Sequence, residues 1–249
     1  MTVLELAFLV LFALLIGLFL ALSRRPTARP AVLRPLAALE QLPATIGEAV
    51  ESGRRLHLSL GSGIIGQADT ATTLAGLNIA SQVAAQAVVS DKPPVITSAD
   101  GTAMLLAQDS LKSIYRQQNA AERFDPSAAQ VPGLSPLAFS AALAPLVRDE
   151  AVAGNVLIGA LPPEIVLLTE ASQRAGAPTL AGSDNLTAQA VLYAAADAAL
   201  LGEEVYAAGA YLNRQPAHLA SLRAQDVLRL ILVLTILAGV TLKTLGLLP

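Results

Sequence analysis

The sequence predicts an α/β protein: a Rossmann-like doubly wound, mostly parallel sheet flanked by one transmembrane helix at each end. Three observations lead there. Apolar runs of bilayer length stand near both ends of the chain. Between them, short apolar runs alternate with longer stretches of helical spacing, the pattern of βαβ units. Charge is also partitioned. Residues 56–212 hold six Lys/Arg against fourteen Asp/Glu, whereas the flanks hold ten against five.

The first apolar run, residues 3–22, reads VLELAFLVLFALLIGLFLAL, with Glu5 its only charge. Twenty helical residues rise about 30 Å, the thickness of a bilayer's hydrocarbon core. A cleaved signal peptide would need a basic start and a shorter apolar stretch. Here nothing basic precedes the run, and Arg24 and Arg25 follow it. The second run covers residues 227–248, with Arg229 and Lys243 bounding its cleanest part. Arg24, Arg25, Arg29, Arg34, Arg54 and Arg55 follow the first run, and Arg214, Arg223 and Arg229 lie at the approach to the second. Positive charge stays inside. The expectation is a two-pass protein of the inner, cytoplasmic membrane, with its middle domain cytoplasmic and both termini outside.

Residues 23–55 read as a juxtamembrane linker or helix, with Leu39, Leu42 and Ile46 on one apolar face. Pro26, Pro30 and Pro35 make its start extended, and residues 36–52 have a partly helical pattern that Pro43 and Gly47 weaken. The α/β domain is placed at residues 56–212 and a second linker at 213–226. Strands are expected at 56–60, 94–98, 128–131, 155–159, 178–181 and 198–201. Helices are expected at 70–88, 102–119, 136–150, 163–175, 186–196 and 203–212. The run Val156-Leu157-Ile158 suits a strand buried on both faces.

Composition excludes several chemistries. The chain has no cysteine, so disulfides and thiolate sites are ruled out. Its two histidines, His57 and His218, make a multi-histidine metal site improbable. The acidic middle argues against nucleic acid as a partner, because a phosphate backbone needs basic surface.

In an open parallel sheet, ligands bind beyond the carboxyl ends of the strands. The expected ends are small and polar: Gly61, Ser62, Gly63 and Gly66; Ser98 and Asp100; Gly159; Ser183 and Asp184. These nine residues are the candidate ligand-binding set. Gly61, Gly63 and Gly66 form G-x-G-x-x-G after a strand, the pattern that lets backbone approach a dinucleotide pyrophosphate. The acidic residue expected about 20 positions later, at the end of the second strand, is less convincing: Asp91 precedes that strand and Asp100 lies 34 residues beyond Gly66. Asp100 and Asp184 would serve as an acid–base or cation-binding pair, or cap helices, with Asp100 before Thr102 and Ser183 or Asp184 before Leu186. Capping is the commoner role for such residues. Ser62 lacks the glycines of a nucleophile elbow, and neither histidine is placed to serve it. No catalytic set emerges, so whether the chain is an enzyme stays open.

The segments NVLIGALPPEIVLLTEASQRAGA (residues 155–177) and AAADAALLGEEVYAAGAYL (residues 194–212) resemble an uncharacterised family of bacterial membrane proteins. It is catalogued as a domain of unknown function and is familiar from Chloroflexota-like bacteria. Residues 93–97 and 107–109 are similar too. The resemblance implies a recurrent membrane-tethered α/β domain and supplies no catalytic residues. The expected function is a structural or binding module that self-assembles or docks a membrane-protein partner, with the lipid bilayer as its other contact. The alternative is a nucleotide- or small-anion-binding enzyme or sensor using the glycine loop. No cofactor is required by the sequence, and a nucleotide is the one this loop would take.

Overall fold

A computed structural model describes residues 3–24, 33–90 and 92–246. The chain divides into two compact units, one of Met1–Leu33 with Arg214–Pro249 and one of Arg34–Asn213. Asp91 and most of the arginine- and proline-rich stretch after the first helix lie outside the described residues.

The Arg34–Asn213 unit is built on six parallel strands: β1 (Leu56–Gly61), β2 (Val95–Thr97), β3 (Ala129–Gln130), β4 (Gly154–Ala160), β5 (Thr179–Ser183) and β6 (Ala198–Leu201). Their order is β3-β2-β1-β4-β5-β6. The winding therefore reverses between β1 and β4, as in a doubly wound sheet. Every residue of β1 and β4 is buried, as two-sided coverage requires. Expected and observed strands agree to within a residue or two.

Helices cover both faces. On one lie α2 (Ala37–Ser52), α3 (Thr70–Ala87), α4 (Gly101–Gln117) and α8 (Glu204–Leu212), packed with Leu58, Leu60, Val156 and Ile158. On the other lie α5 (Pro136–Asp149), α6 (Val166–Ala175) and α7 (Leu186–Ala195), packed around Leu157 and Ala181. The helix expected at 163–175 is split. Pro163–Ile165 forms a 3-10 turn before α6, because Pro162 and Pro163 cannot continue an α-helical ladder.

Helix α2 realises the partly helical pattern expected over residues 36–52, with its apolar face packed into the core. It is continuous through Pro43, and Ala38, Leu39, Leu42, Ile46 and Ala49 are buried in the core. An interior proline costs about 3 kcal/mol. Burying Leu39, Leu42 and Ile46 contributes roughly 1.5–3 kcal/mol each, which outweighs it. Gly53 ends the helix in the left-handed region at φ 61°, where a side chain is disfavoured. Helix α2 is thus part of the compact unit Arg34–Asn213.

The other unit contains α1 (Val3–Arg24) and α9 (Pro216–Thr244), which touch each other. Helix α9 runs unbroken through most of the expected second linker. Among the described residues, α9 alone is long and apolar enough to cross a membrane. In α1 the described apolar run is shorter, Leu9–Ala21. A helix long and apolar enough to span stands at the carboxyl-terminal end and not among the described residues at the amino-terminal one, whereas two spans were expected.

Helix α3 crosses β4 closely. A Cβ on Gly76 would sit 1.9 Å from the Ile158 carbonyl oxygen. Alanine is the better helix former by about 1 kcal/mol. Gly76→Ala should nevertheless lower stability, because backbone would have to move. Thermal unfolding of the full chain checks this; an unchanged or raised melting temperature would refute the close crossing.

Candidate functional site

Because all six strands are parallel, their carboxyl ends share one edge, and the loops after them gather there. This is where the nine candidate residues lie.

Gly61 ends β1 at φ 81°, and its Cβ would lie 2.3 Å from the Ala160 oxygen. Only glycine fits both constraints. Its carbonyl accepts from the Ala99 amide at 3.0 Å, and the Ser62 amide donates to Ala160 at 2.9 Å. A Cβ on Gly159 would meet the Leu60 oxygen at 2.1 Å. The ends of β1 and β4 are therefore held against each other through glycine. A Cβ on Gly63 would meet Thr73 Oγ1 at 2.4 Å and the Ala160 side chain at 2.6 Å. Gly66, at φ 95°, has open space beside it, and its amide donates to Thr70 Oγ1 at 2.8 Å. The motif's first two glycines thus serve packing within the fold. Helix α3 starts only at Thr70, after Asp69.

Ser98 is buried, and its hydroxyl accepts from the Asp100 amide at 3.1 Å. Asp100 caps α4 by accepting from the Ala103 amide at 2.8 Å, the capping role its position before a helix suggests. Ser183 is buried, and its hydroxyl accepts from the Leu161 and Asn185 amides, both at 3.3 Å, tying the ends of β4 and β5. The cap of α7 is neither Ser183 nor Asp184. Asn185 performs it, accepting from Thr187 at 2.9 Å and Ala188 at 3.2 Å. Asp100 follows β2 and Asp184 follows β5, strands three positions apart in the sheet, a spacing of roughly 14 Å.

Asp184 has a different setting. Its Oδ2 accepts from the Thr72 hydroxyl at 2.5 Å and from the Tyr206 hydroxyl at 2.7 Å. Those two hydroxyls are themselves 2.7 Å apart. The cluster joins the start of α3, the end of β5 and α8. Burial pushes the Tyr206 phenol above its ordinary value; the hydrogen bond from Thr72 opposes this, and Asp184 and Asp69 add to it. Thr72 and Tyr206 carry no sequence signal for this role, because their meeting requires α3 and α8 to share a face.

A second polar network lies inside the sheet. His57 on β1 is fully buried between Asn155 Oδ1 on its Nδ1 and Thr97 Oγ1 on its Nε2, each at 2.9 Å. Asn155 donates onward to Ser172 at 2.9 Å, and Ser172 donates to the Leu168 carbonyl at 2.8 Å. The chain of bonds crosses β2, β1, β4 and α6. Burial lowers the His57 pKa to about 4, against a smaller upward pull from Asn155. With both ring nitrogens engaged, His57 has no free atom for proton transfer at the loop edge. Among the described residues, no group of three or more His, Cys, Asp or Glu is placed to hold a metal ion.

The fold and the loop edge define an α/β protein with an all-parallel, doubly wound sheet and at least one apolar helix of membrane-spanning length. The chain belongs to the family described as Domain of unknown function (DUF6754), whose profile matches residues 2–248. No curated protein and no solved structure matches it.

The histidine network has a pH signature. A folded pKa near 4 against about 6.5 unfolded means the unfolded chain binds the extra proton between those values. His57 therefore contributes its full share of stability above about pH 6.5 and loses it as pH falls toward 4. The expected loss between pH 7 and pH 5 is about 2 kcal/mol. Urea unfolding at the two pH values, compared with Asn155→Ala and His57→Leu, measures it. A His57→Leu chain that keeps the same pH dependence would show that another group is responsible.

Proposed function

We propose that this chain is a membrane-anchored α/β binding module, held by α9 with α1 beside it. The domain docks a partner or self-assembles at the cytoplasmic membrane face. One observation carries the reading: α9 exposes apolar side chains on all sides along its second half. Leu230, Ile231, Leu232, Val233, Leu234, Ile236 and Leu237 are each more than half exposed. Seven such residues in eight consecutive positions leave no polar face for water, which is the surface of a helix that belongs in lipid. At 29 residues, α9 rises about 43 Å, longer than the roughly 30 Å hydrocarbon core. Helix α1 is exposed and apolar at Leu6, Leu9, Val10, Leu11, Phe12 and Leu14, which suits a second span in contact with the first. The arginines on the inner flanks of both helices favour a cytoplasmic domain and outer termini.

The binding-module reading is preferred to a nucleotide enzyme because Gly61 and Gly63 are consumed by contacts with Ala160 and Thr73. The sequence has no native cysteine, so a single introduced one reports topology cleanly. Asp109→Cys on the exposed face of α4 should react with a membrane-impermeant maleimide in inside-out vesicles and stay unlabelled in intact cells. The chain should also remain in the membrane pellet after alkaline carbonate. Release into the supernatant would sink the anchor; labelling in intact cells would sink the orientation.

A further inference from the structure

The edge formed by the carboxyl ends of the strands carries two features that the anchoring helices do not explain. The first is apolar exposure. Leu134 before α5 is 83% exposed and Leu186 at the start of α7 is 81% exposed. Leu137, Val166 and Ile64 are exposed on neighbouring loops and helix starts. The Pro163–Ile165 turn, which follows β4, touches both α5 and α7, whose starts follow β3 and β5. Leucines at this exposure, gathered at one edge, are a patch rather than a scatter.

The second feature is the sign of the charge. The loops that follow β1 to β6 contain no Lys or Arg, whereas Asp69, Asp100, Glu164, Asp184 and Glu203 lie in them. The basic residue described at this edge, Arg34, is paired with Glu204. Asp69 and Asp184 are exposed.

We infer that this loop edge is a docking face, and that its partner is a protein segment with an apolar face and a basic flank. The inference rests on the reading of the chain as a binding module and names what the module binds. Charge complementarity decides between occupants. An anionic bilayer surface would be repelled by the carboxylates. A second copy meeting edge to edge would bring carboxylates against carboxylates. A basic amphipathic segment satisfies both features at once, with its apolar residues over Leu134 and Leu186 and its Lys or Arg toward Asp69 and Asp184.

The test uses the full chain in neutral-lipid nanodiscs, with Thr187→Cys carrying an environment-sensitive dye. The probes are a helical peptide of leucine and lysine and its leucine–glutamate counterpart. The lysine peptide should bind saturably, weaken as salt rises, and lose about tenfold or more in affinity with Leu134→Ser and with Asp69→Asn. Both substitutions are at exposed positions, so the fold should stand, and Leu105→Ser on exposed α4 should leave affinity unchanged. Four outcomes overturn the inference. They are equal binding of the glutamate peptide, no loss in either edge variant, quenching of the dye by nitroxide-bearing lipids, and a dimer abolished by Leu134→Ser. Carbonate release would refute the anchor while leaving this titration intact, so the two failures are distinguishable.

Discussion

The Arg34–Asn213 unit depends on one close approach. At the carboxyl ends of β1 and β4 the backbones meet with no room for side chains, Gly61 against Ala160 and Gly159 against Leu60. These are the two central strands, and the winding reverses between them. Helix α3 then lies on the same spot, with Gly76 against Ile158. Three glycines from three elements let the sheet's centre close and the first crossover helix seat on it. The positions of the loops that follow β1, β4 and β5 come from that closure, including the Ser183 hydroxyl that receives the Leu161 amide.

The second constraint is electrostatic. A histidine in the middle of a sheet sacrifices hydration, and its partners determine whether it is tolerated. Thr97 and Asn155 supply one bond to each ring nitrogen, and Ser172 satisfies the Asn155 amide in turn. Such a network specifies register. Shifting β1 by one residue against β4 would turn His57 toward Leu60's face and leave Asn155 unmatched. Apolar packing alone tolerates slippage between Leu56, Leu58 and Leu60 better than this bonded chain does.

How much of this was legible in the sequence follows from what each signal encodes. Alternating apolar runs and helical spacing located every strand, because burial on both faces leaves continuous runs such as Val156-Leu157-Ile158. Strand order was not legible, since periodicity says nothing about neighbours. For the same reason the His57 network was hidden: His57, Thr97 and Asn155 meet only when β1 is flanked by β2 and β4. Pro43 and Gly47 obscured α2, whose stability comes from tertiary burial rather than propensity. Arg223, Asp226 and Arg229 obscured the continuity of α9, because charge interrupts an apolar pattern without interrupting a helix. The capping role of Asp100 was legible from local spacing alone, and that of Asn185 was missed by one residue.

The glycine motif shows why a pattern and a site differ. Phosphate-binding folds leave helix amino termini open, so that the dipole and free amides meet an anion. Here side-chain oxygens occupy several of those termini. Asp100 caps α4, Asn185 caps α7, and Glu204 at the start of α8 accepts from the Leu201 amide, whereas Asp69 precedes α3 without a side-chain cap bond. At α4 and α8, Asp100 and Glu204 put carboxylates where a phosphate needs donors. The same substitution makes the edge attractive to cations. With Leu134 and Leu186 exposed beside it, the edge combines negative charge with apolar surface.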